Sequence, residues 1–69
     1  MVWLDREEAA RYFKLGADHQ DVESMYKYAL KLNEGDGVEL NKNEALNYFK
    51  AAARNGHLES LYHVALMLD

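Results

Sequence analysis

A seven-residue motif occurs twice in this chain, and the two copies are 36 residues apart. Residues 8–14 read EAARYFK and residues 44–50 read EALNYFK. The same offset pairs Tyr26 with Tyr62, and it continues through most of the sequence. A period of about 20 to 50 residues is typical of solenoid proteins, whose units bury their apolar faces against each other. The sequence therefore predicts a repeat protein.

The composition and the starts of two segments predict an all-α fold. Proline is absent, and Ala, Leu, Lys, Glu and Tyr are abundant. Asp5 with Glu8, and Asn41 with Glu44, have the spacing of an N-cap and capping box, so a helix should begin at each. We predict an α/α solenoid of antiparallel helical hairpins with about four helices. Each repeat consists of a first-type helix followed by a second-type helix. The predicted parts form a single module over 1–69: a second-type helix at 5–18, one complete repeat at 21–56, and the first-type helix of the next repeat at 57–69.

Apolar residues at helical spacing predict the core. Gly56 should end the third helix in a left-handed conformation. The equivalent residue of the first copy is Gln20, so either His19 or Gln20 must make that turn less favourably. Val38 and Leu40 are expected to close the end of the helix pair. The predicted core stripes are Ala9, Tyr12, Phe13 and Gly16; Met25, Tyr28, Ala29 and Leu32; Ala45, Tyr48, Phe49 and Ala52; and Leu61, Val64, Ala65 and Leu68.

One longer motif links the end of one helix to the next helix. Leu32, Gly35, Gly37 and Val38 are followed by a run from Asn41 to Gly56, whose shared residues are Asn41, Lys42, Glu44, Ala45, Tyr48, Phe49, Lys50, Ala52, Ala53 and Gly56. This pattern closely resembles the Sel-one-like repeat (SLR), a relative of the tetratricopeptide repeat. The resemblance implies a non-catalytic scaffold that binds partner proteins. Gly16 departs from the family's alanine, and we expect a loss of about 1 kcal/mol there if it lies in a helix.

The family arrangement also implies which side chains would contact a protein or peptide partner. The first helix of each repeat would line a concave face, and positions off the core stripe would face the partner. Tyr is a favoured anchor at such interfaces. The alternative is that these residues pack between neighbouring repeats, since they recur in each copy. The partner-binding candidates are Glu23, Tyr26, Leu30, Asn33, Glu59, Tyr62 and Leu66.

Other kinds of function are not supported by the sequence. His19, His57 and His63 lack the convergent spacing of a zinc site, and no catalytic set or phosphate-binding loop occurs, so we expect no enzyme activity, metal or cofactor. The net charge of −4 without a basic patch argues against a nucleic-acid partner. We expect Tyr12-Phe13 and Tyr48-Phe49 to be buried, not to stack on bases. No apolar run suggests a membrane partner, and the lack of cysteine and of a signal-like start favours the cytoplasm.

A second hypothesis is structural self-association. The sequence starts within one repeat and ends within another, so the apolar stripes of the terminal helices lack a neighbour. Head-to-tail stacking of copies would cover those stripes and give a homo-oligomer, because heterologous contacts of this type form rings or filaments. Trp3 has no aromatic equivalent in the second copy, where Glu39 occupies the matching position. It could cover the first helix or contact another chain.

Overall fold

The computed structural model describes residues 5–68, and this part of the chain contains four α-helices and no strand. Helix α1 is Arg6–Asp18, α2 is Val22–Glu34, α3 is Lys42–Arg54 and α4 is Leu58–Leu68. Each helix packs against the next one along the chain. The predicted all-α fold of helical hairpins is therefore confirmed, whereas the two roles considered for Trp3 lie outside the described residues.

Side-chain caps begin α1 and α3 where the sequence predicted them. The Asp5 carboxylate accepts hydrogen bonds from the backbone N–H groups of Glu7 at 3.0 Å and Glu8 at 3.3 Å. The Asn41 side-chain oxygen accepts one from the Glu44 N–H at 3.0 Å. Such caps satisfy N–H groups that have no partner within the helix. Both copies of the repeat therefore fix the start of the second-type helix in the same way.

The same turn ends both of these helices. In α1 the Asp21 N–H donates to the Gly16 carbonyl and the Gln20 N–H donates to the Ala17 carbonyl. At the end of α3 the His57 N–H donates to the Ala52 carbonyl and the Gly56 N–H donates to the Ala53 carbonyl. This pair of bonds is the Schellman arrangement. Gly56 has φ of 89° and Gln20 has φ of 68°. The prediction that a non-glycine residue must adopt the left-handed conformation in the first turn is confirmed.

The core lies between α2 and α3, with small contributions from α1. Phe49 at its centre is fully buried, and the rings of Tyr28 and the half-buried Tyr48 meet edge to face with centroids 5.0 Å apart. This is a favourable aromatic geometry. The predicted stripes of α2 and α3 are confirmed. The core residues are Ala10, Ala17, Met25, Tyr26, Tyr28, Ala29, Leu32, Ala45, Phe49 and Ala52.

The predicted stripes of the two outer helices are wrong at several positions. Tyr12 of α1 is 66% exposed, although the equivalent Tyr48 packs on α2. Leu68 of α4 is 61% exposed, although the equivalent Leu32 is 3% exposed. Among the described residues α1 packs mainly on α2 and α4 mainly on α3, so no helix covers the outer face of either. The other exposed members of the predicted stripes are Leu61 and Ala65.

Gly16 allows α1 and α2 to approach each other closely. A β-carbon at Gly16 would lie 2.2 Å from the Ser24 Oγ and 2.7 Å from the Ser24 Cβ, closer than atoms can approach. In the second copy the equivalent pair is Ala52 and Ser60, and both residues are fully buried. The expectation that Gly16 is only a defect in the helix was therefore incomplete, because the glycine also makes room for Ser24.

The loop between α2 and α3 contacts the start of α1. A β-carbon at Gly37 would lie 2.1 Å from the Arg6 carbonyl oxygen, so only glycine fits against the backbone there. Asp36 accepts a hydrogen bond from the Lys31 ammonium at 2.9 Å and lies 3.5 Å from the Arg6 guanidinium. The hydrogen bond to Lys31, with both positive charges, lowers the pKa of Asp36. Val38 packs against the core as expected, but Leu40 is more than half exposed.

Candidate functional site

Tyr26 of α2 is buried where α2 meets α4, the first helix of the next repeat. Its ring is 8% exposed and lies 4.5 Å from the ring of His57 and 5.7 Å from that of His63. The hydroxyl donates to the Glu59 carboxylate at 3.2 Å. Of the two roles considered for Tyr26, the structure supports packing between repeats. The burial of Tyr26, then its hydrogen bond to Glu59, raises the pKa of the phenol.

His57 connects the start of α4 to α2. Its Nδ1 accepts a hydrogen bond from the Ser60 N–H at 3.3 Å, which makes His57 the cap of α4, and it lies 2.9 Å from the Ser60 Oγ. When Nδ1 is an acceptor, the proton of a neutral imidazole is on Nε2. The Nε2 atom lies 3.3 Å from the Glu23 carboxylate, so it can donate to it. Glu23 and Glu59, two predicted partner contacts, thus take part in contacts between the repeats.

The other end of the same two helices forms an open groove of about 470 Å³. It brings together two of the predicted partner contacts, Asn33 at the end of α2 and Leu66 near the end of α4, where Leu66 is 57% exposed. Leu30 is half-buried against the core, and Tyr62 is exposed and does not line the groove. The groove is lined by Asn33, Lys42, Asn43, Leu46, His63, Leu66 and Met67.

Several groove residues were not predicted from the sequence. Lys42 belongs to the repeat motif, but its spacing to Asn33 does not reveal that the two side chains meet. Its ammonium donates to the Asn33 backbone carbonyl at 3.2 Å and to the Asn33 side-chain oxygen at 3.1 Å. His63 lies in the groove because its ring stacks on Phe49, with centroids 4.7 Å apart and planes 7° from parallel. The first contact depends on how α3 packs on α2 and the second on how α4 packs on α3, and no local pattern specifies either.

Apolar residues are also exposed on the two outer faces of the described region. On α1, Tyr12 and Leu15 line a shallow groove of about 380 Å³ together with charged residues. On α4, Leu61 and Leu68 occupy the positions of Met25 and Leu32 one repeat earlier, and those two are buried. Each outer face is therefore the counterpart of a surface that is covered inside the molecule.

Comparison with known families identifies the repeat. The Sel1 repeat family model matches residues 4–21 and 22–57, which together make up well over half of the chain. The chain belongs to the Sel1 repeat family. Searches of curated proteins and of solved structures found no significant match. The family is the Sel-one-like repeat that the motif resembled, so that identification is confirmed.

Membership in the Sel1 repeat family gives the general type of function. Sel1 repeats generally mediate interactions between proteins, and the family is a non-catalytic scaffold type. Within residues 5–68 no three His, Asp or Glu side chains come close enough together to hold a metal ion. No helix in the same region is long and apolar enough to cross a membrane.

Proposed function

We propose that this Sel1 repeat chain binds a protein or peptide partner on the concave face formed by α2 and α4. The observation that carries the proposal is the groove in which Asn33 of one repeat and Leu66 of the next lie side by side. A groove of this size can hold one or two side chains of a bound segment. Apolar residues with a few fixed polar groups are the usual composition of such sites.

The polar candidates at the other end of α2 and α4 would extend the contact. Glu23 and Glu59 are exposed although they bond to His57 and Tyr26. Tyr62 is exposed on α4 and could pack against a bound segment. Tyr26 would not contact the partner directly, because it is buried; its hydrogen bond to Glu59 would position that carboxylate.

Selection from a displayed peptide library tests this proposal. Immobilised protein should enrich peptides whose binding is lost in the variant Leu66→Asp, which places a charge in the groove. Leu15→Asp is the matched control, since it changes an equally accessible leucine on the outer face of α1. Circular dichroism should show both variants folded. Selected peptides that bind Leu66→Asp as well as the unmodified protein would overturn the proposal.

A second candidate function is self-association by head-to-tail stacking. It is favoured by the match between the outer faces, because Leu61 and Leu68 of α4 stand where Met25 and Leu32 pack on α3. The outer face of α1 presents Tyr12, the equivalent of the tyrosine on α3 that packs on α2. A second copy could therefore dock its α1 on α4 as α3 docks on α2. Such a contact is heterologous and repeats from copy to copy.

Complementation between two variants tests head-to-tail stacking. Tyr12→Asp blocks the α1 face and Leu61→Asp blocks the α4 face. In sedimentation velocity, the unmodified protein should associate as concentration rises. Each variant alone should stay monomeric, and an equal mixture should form a dimer through the two intact faces. A mixture that remains monomeric, or an unmodified protein that stays monomeric at millimolar concentration, would exclude this function.

A further inference from the structure

We propose that the groove between α2, α3 and α4 recognises an acidic side chain next to an aliphatic one, so that the partner is a segment with Asp or Glu beside Leu, Ile or Met. This inference rests on the proposed function and specifies the chemistry of the partner. It is carried by the charge of Lys42 and by the donors and apolar side chains that surround it in the groove.

Lys42 contributes a positive charge that no carboxylate neutralises in the described part of the chain. Its two acceptors, the backbone and side-chain oxygens of Asn33, are both uncharged. By contrast, Lys31 is paired with Asp36 at 2.9 Å and Lys14 with Asp18 at 3.7 Å. An ammonium has three N–H donors, so one remains for a ligand after two are used by Asn33. The two bonds also hold the ammonium at the groove.

The other polar groups of the groove are suited to an acceptor. Because the Asn33 side-chain oxygen accepts from Lys42, its amide nitrogen is left to donate, and no residue within 5–68 accepts from it. The Asn43 side chain also lines the groove and is exposed, so its amide can donate to a ligand. No Asp or Glu among the described residues lines the groove. In a chain with a net charge of −4, this is a local surface without negative charge.

The apolar part of the groove specifies the second feature of the partner. Leu46, Leu66 and Met67 lie in it together with the polar residues, and Met side chains adapt to irregular shapes. A free anion would leave these side chains uncovered, whereas a segment with a neighbouring aliphatic side chain would bury them. A hydrogen bond between two charged groups is stronger than one between neutral groups, so exchange of the acid for its amide should weaken binding clearly.

Two matched peptides and two variants test the inference. The probes are acetylated, amidated pentapeptides Ser-Leu-Glu-Leu-Ser and Ser-Leu-Gln-Leu-Ser, titrated into isotope-labelled protein by NMR. The acidic peptide should shift the backbone signals of Asn33, Asn43 and Leu66, and bind about tenfold more tightly than the amide peptide. Lys42→Gln should remove this difference. Lys27→Gln makes the same change in net charge at an exposed lysine outside the groove, and should preserve it.

Each alternative outcome counts against the inference. Equal affinity for the two peptides, equal losses in both variants, or no shift with either peptide at millimolar concentration would overturn it. The library selection separates this failure from failure of the proposed function. If selected peptides depend on Leu66 but lack acidic residues, the groove binds partners without recognising a carboxylate. If their binding does not depend on Leu66, the proposed binding face itself is wrong.

Discussion

At the scale of single residues, Gly16 shows how one hydrogen atom sets the distance between two helices. A glycine within a helix normally destabilises it by about 1 kcal/mol relative to alanine. Here the absent β-carbon leaves room for Ser24, whose Oγ would otherwise be 2.2 Å away. The sequence revealed the intrinsic cost of the glycine but not the compensating contact, because Ser24 is found only once the two helices are packed.

Gly16→Ala should therefore lower the free energy of unfolding, by about 1 to 3 kcal/mol, the usual effect of overpacking a close contact. Urea denaturation followed by circular dichroism would measure it. The double variant Gly16→Ala, Ser24→Gly should recover the loss, since it removes the atoms that the new methyl group meets. Stabilisation by Gly16→Ala alone would contradict the close approach of the helices.

The two equivalent turns allow a reciprocal exchange. Gln20 has φ of 68° and Gly56 has φ of 89° in the same hydrogen-bonded turn. Gln20→Gly should raise the free energy of unfolding by about 1 kcal/mol, because a side chain is disfavoured in the left-handed conformation. Gly56→Gln should lower it by a similar amount. Thermal unfolding of both variants checks the pair, and shifts in the same direction would show that the turns are not equivalent.

At the scale of elements, the loop between α2 and α3 packs against the start of α1 and so holds α1 to the complete repeat. Asp36 bonds to Lys31 of α2 and lies near Arg6 of α1, while Gly37 packs against the α1 backbone. One loop thereby contacts the two helices that precede it in the array. The repeat motif predicted a link between two helices here, but the role of Gly37 depends on the position of α1.

The lowered pKa of Asp36 predicts how stability depends on pH. A carboxyl group whose pKa is lower in the folded state stabilises the fold at pH values above its unfolded-state pKa, which is near 3.9. That contribution is lost as the pH falls through the lower pKa of the folded state. At pH 7 the unmodified protein should therefore melt at a higher temperature than Asp36→Asn. The difference should shrink below about pH 4. A difference that is constant from pH 7 to pH 2.5 would contradict the ion pair.

The helices themselves were predictable because they depend on local signals. Each of these signals can be read from residues close together in the sequence. They are the caps at Asp5 and Asn41, the turn at Gly56 and the apolar period of α2 and α3. The start of α4 near His57 was predicted, but the hydrogen bond that caps it was not, since an imidazole can accept from the Ser60 N–H only when the turn orients it. Asn33 and Leu66 were predicted as partner contacts from their position in the repeat, whereas the presence of Lys42 in the same groove required the packed structure.

At the scale of the whole molecule, the repeat is regular in sequence but not in burial. Positions that are equivalent by sequence, such as Leu32 and Leu68, are 3% and 61% exposed. Burial in a solenoid depends on whether a neighbouring helix is present, and not on the residue alone. This is why the periodicity predicted the inner stripes correctly and failed on the outer faces.

The buried tyrosines predict a loss of stability at high pH. Burial raises the pKa of Tyr26, Tyr28 and Tyr48 above the ordinary tyrosine value near 10. The folded state therefore favours the neutral phenols, and their contribution to stability is lost as the pH rises from about 10 through the raised values. Urea unfolding between pH 8 and 11.5, with tyrosinate absorbance at 295 nm, should show this decline. Tyr28→Phe should make it less steep, and a flat profile would contradict burial of the phenols.

His57 couples the unfolding of α4 to the packing of α2. The same imidazole caps α4, bonds to Glu23 and packs against the ring of Tyr26. Its removal should thus fray the start of one helix and loosen the packing of another at once. Cooperativity would follow from this shared side chain: the two repeats should melt as one unit, and a single exchange-protected block of amides should span α2 and α4.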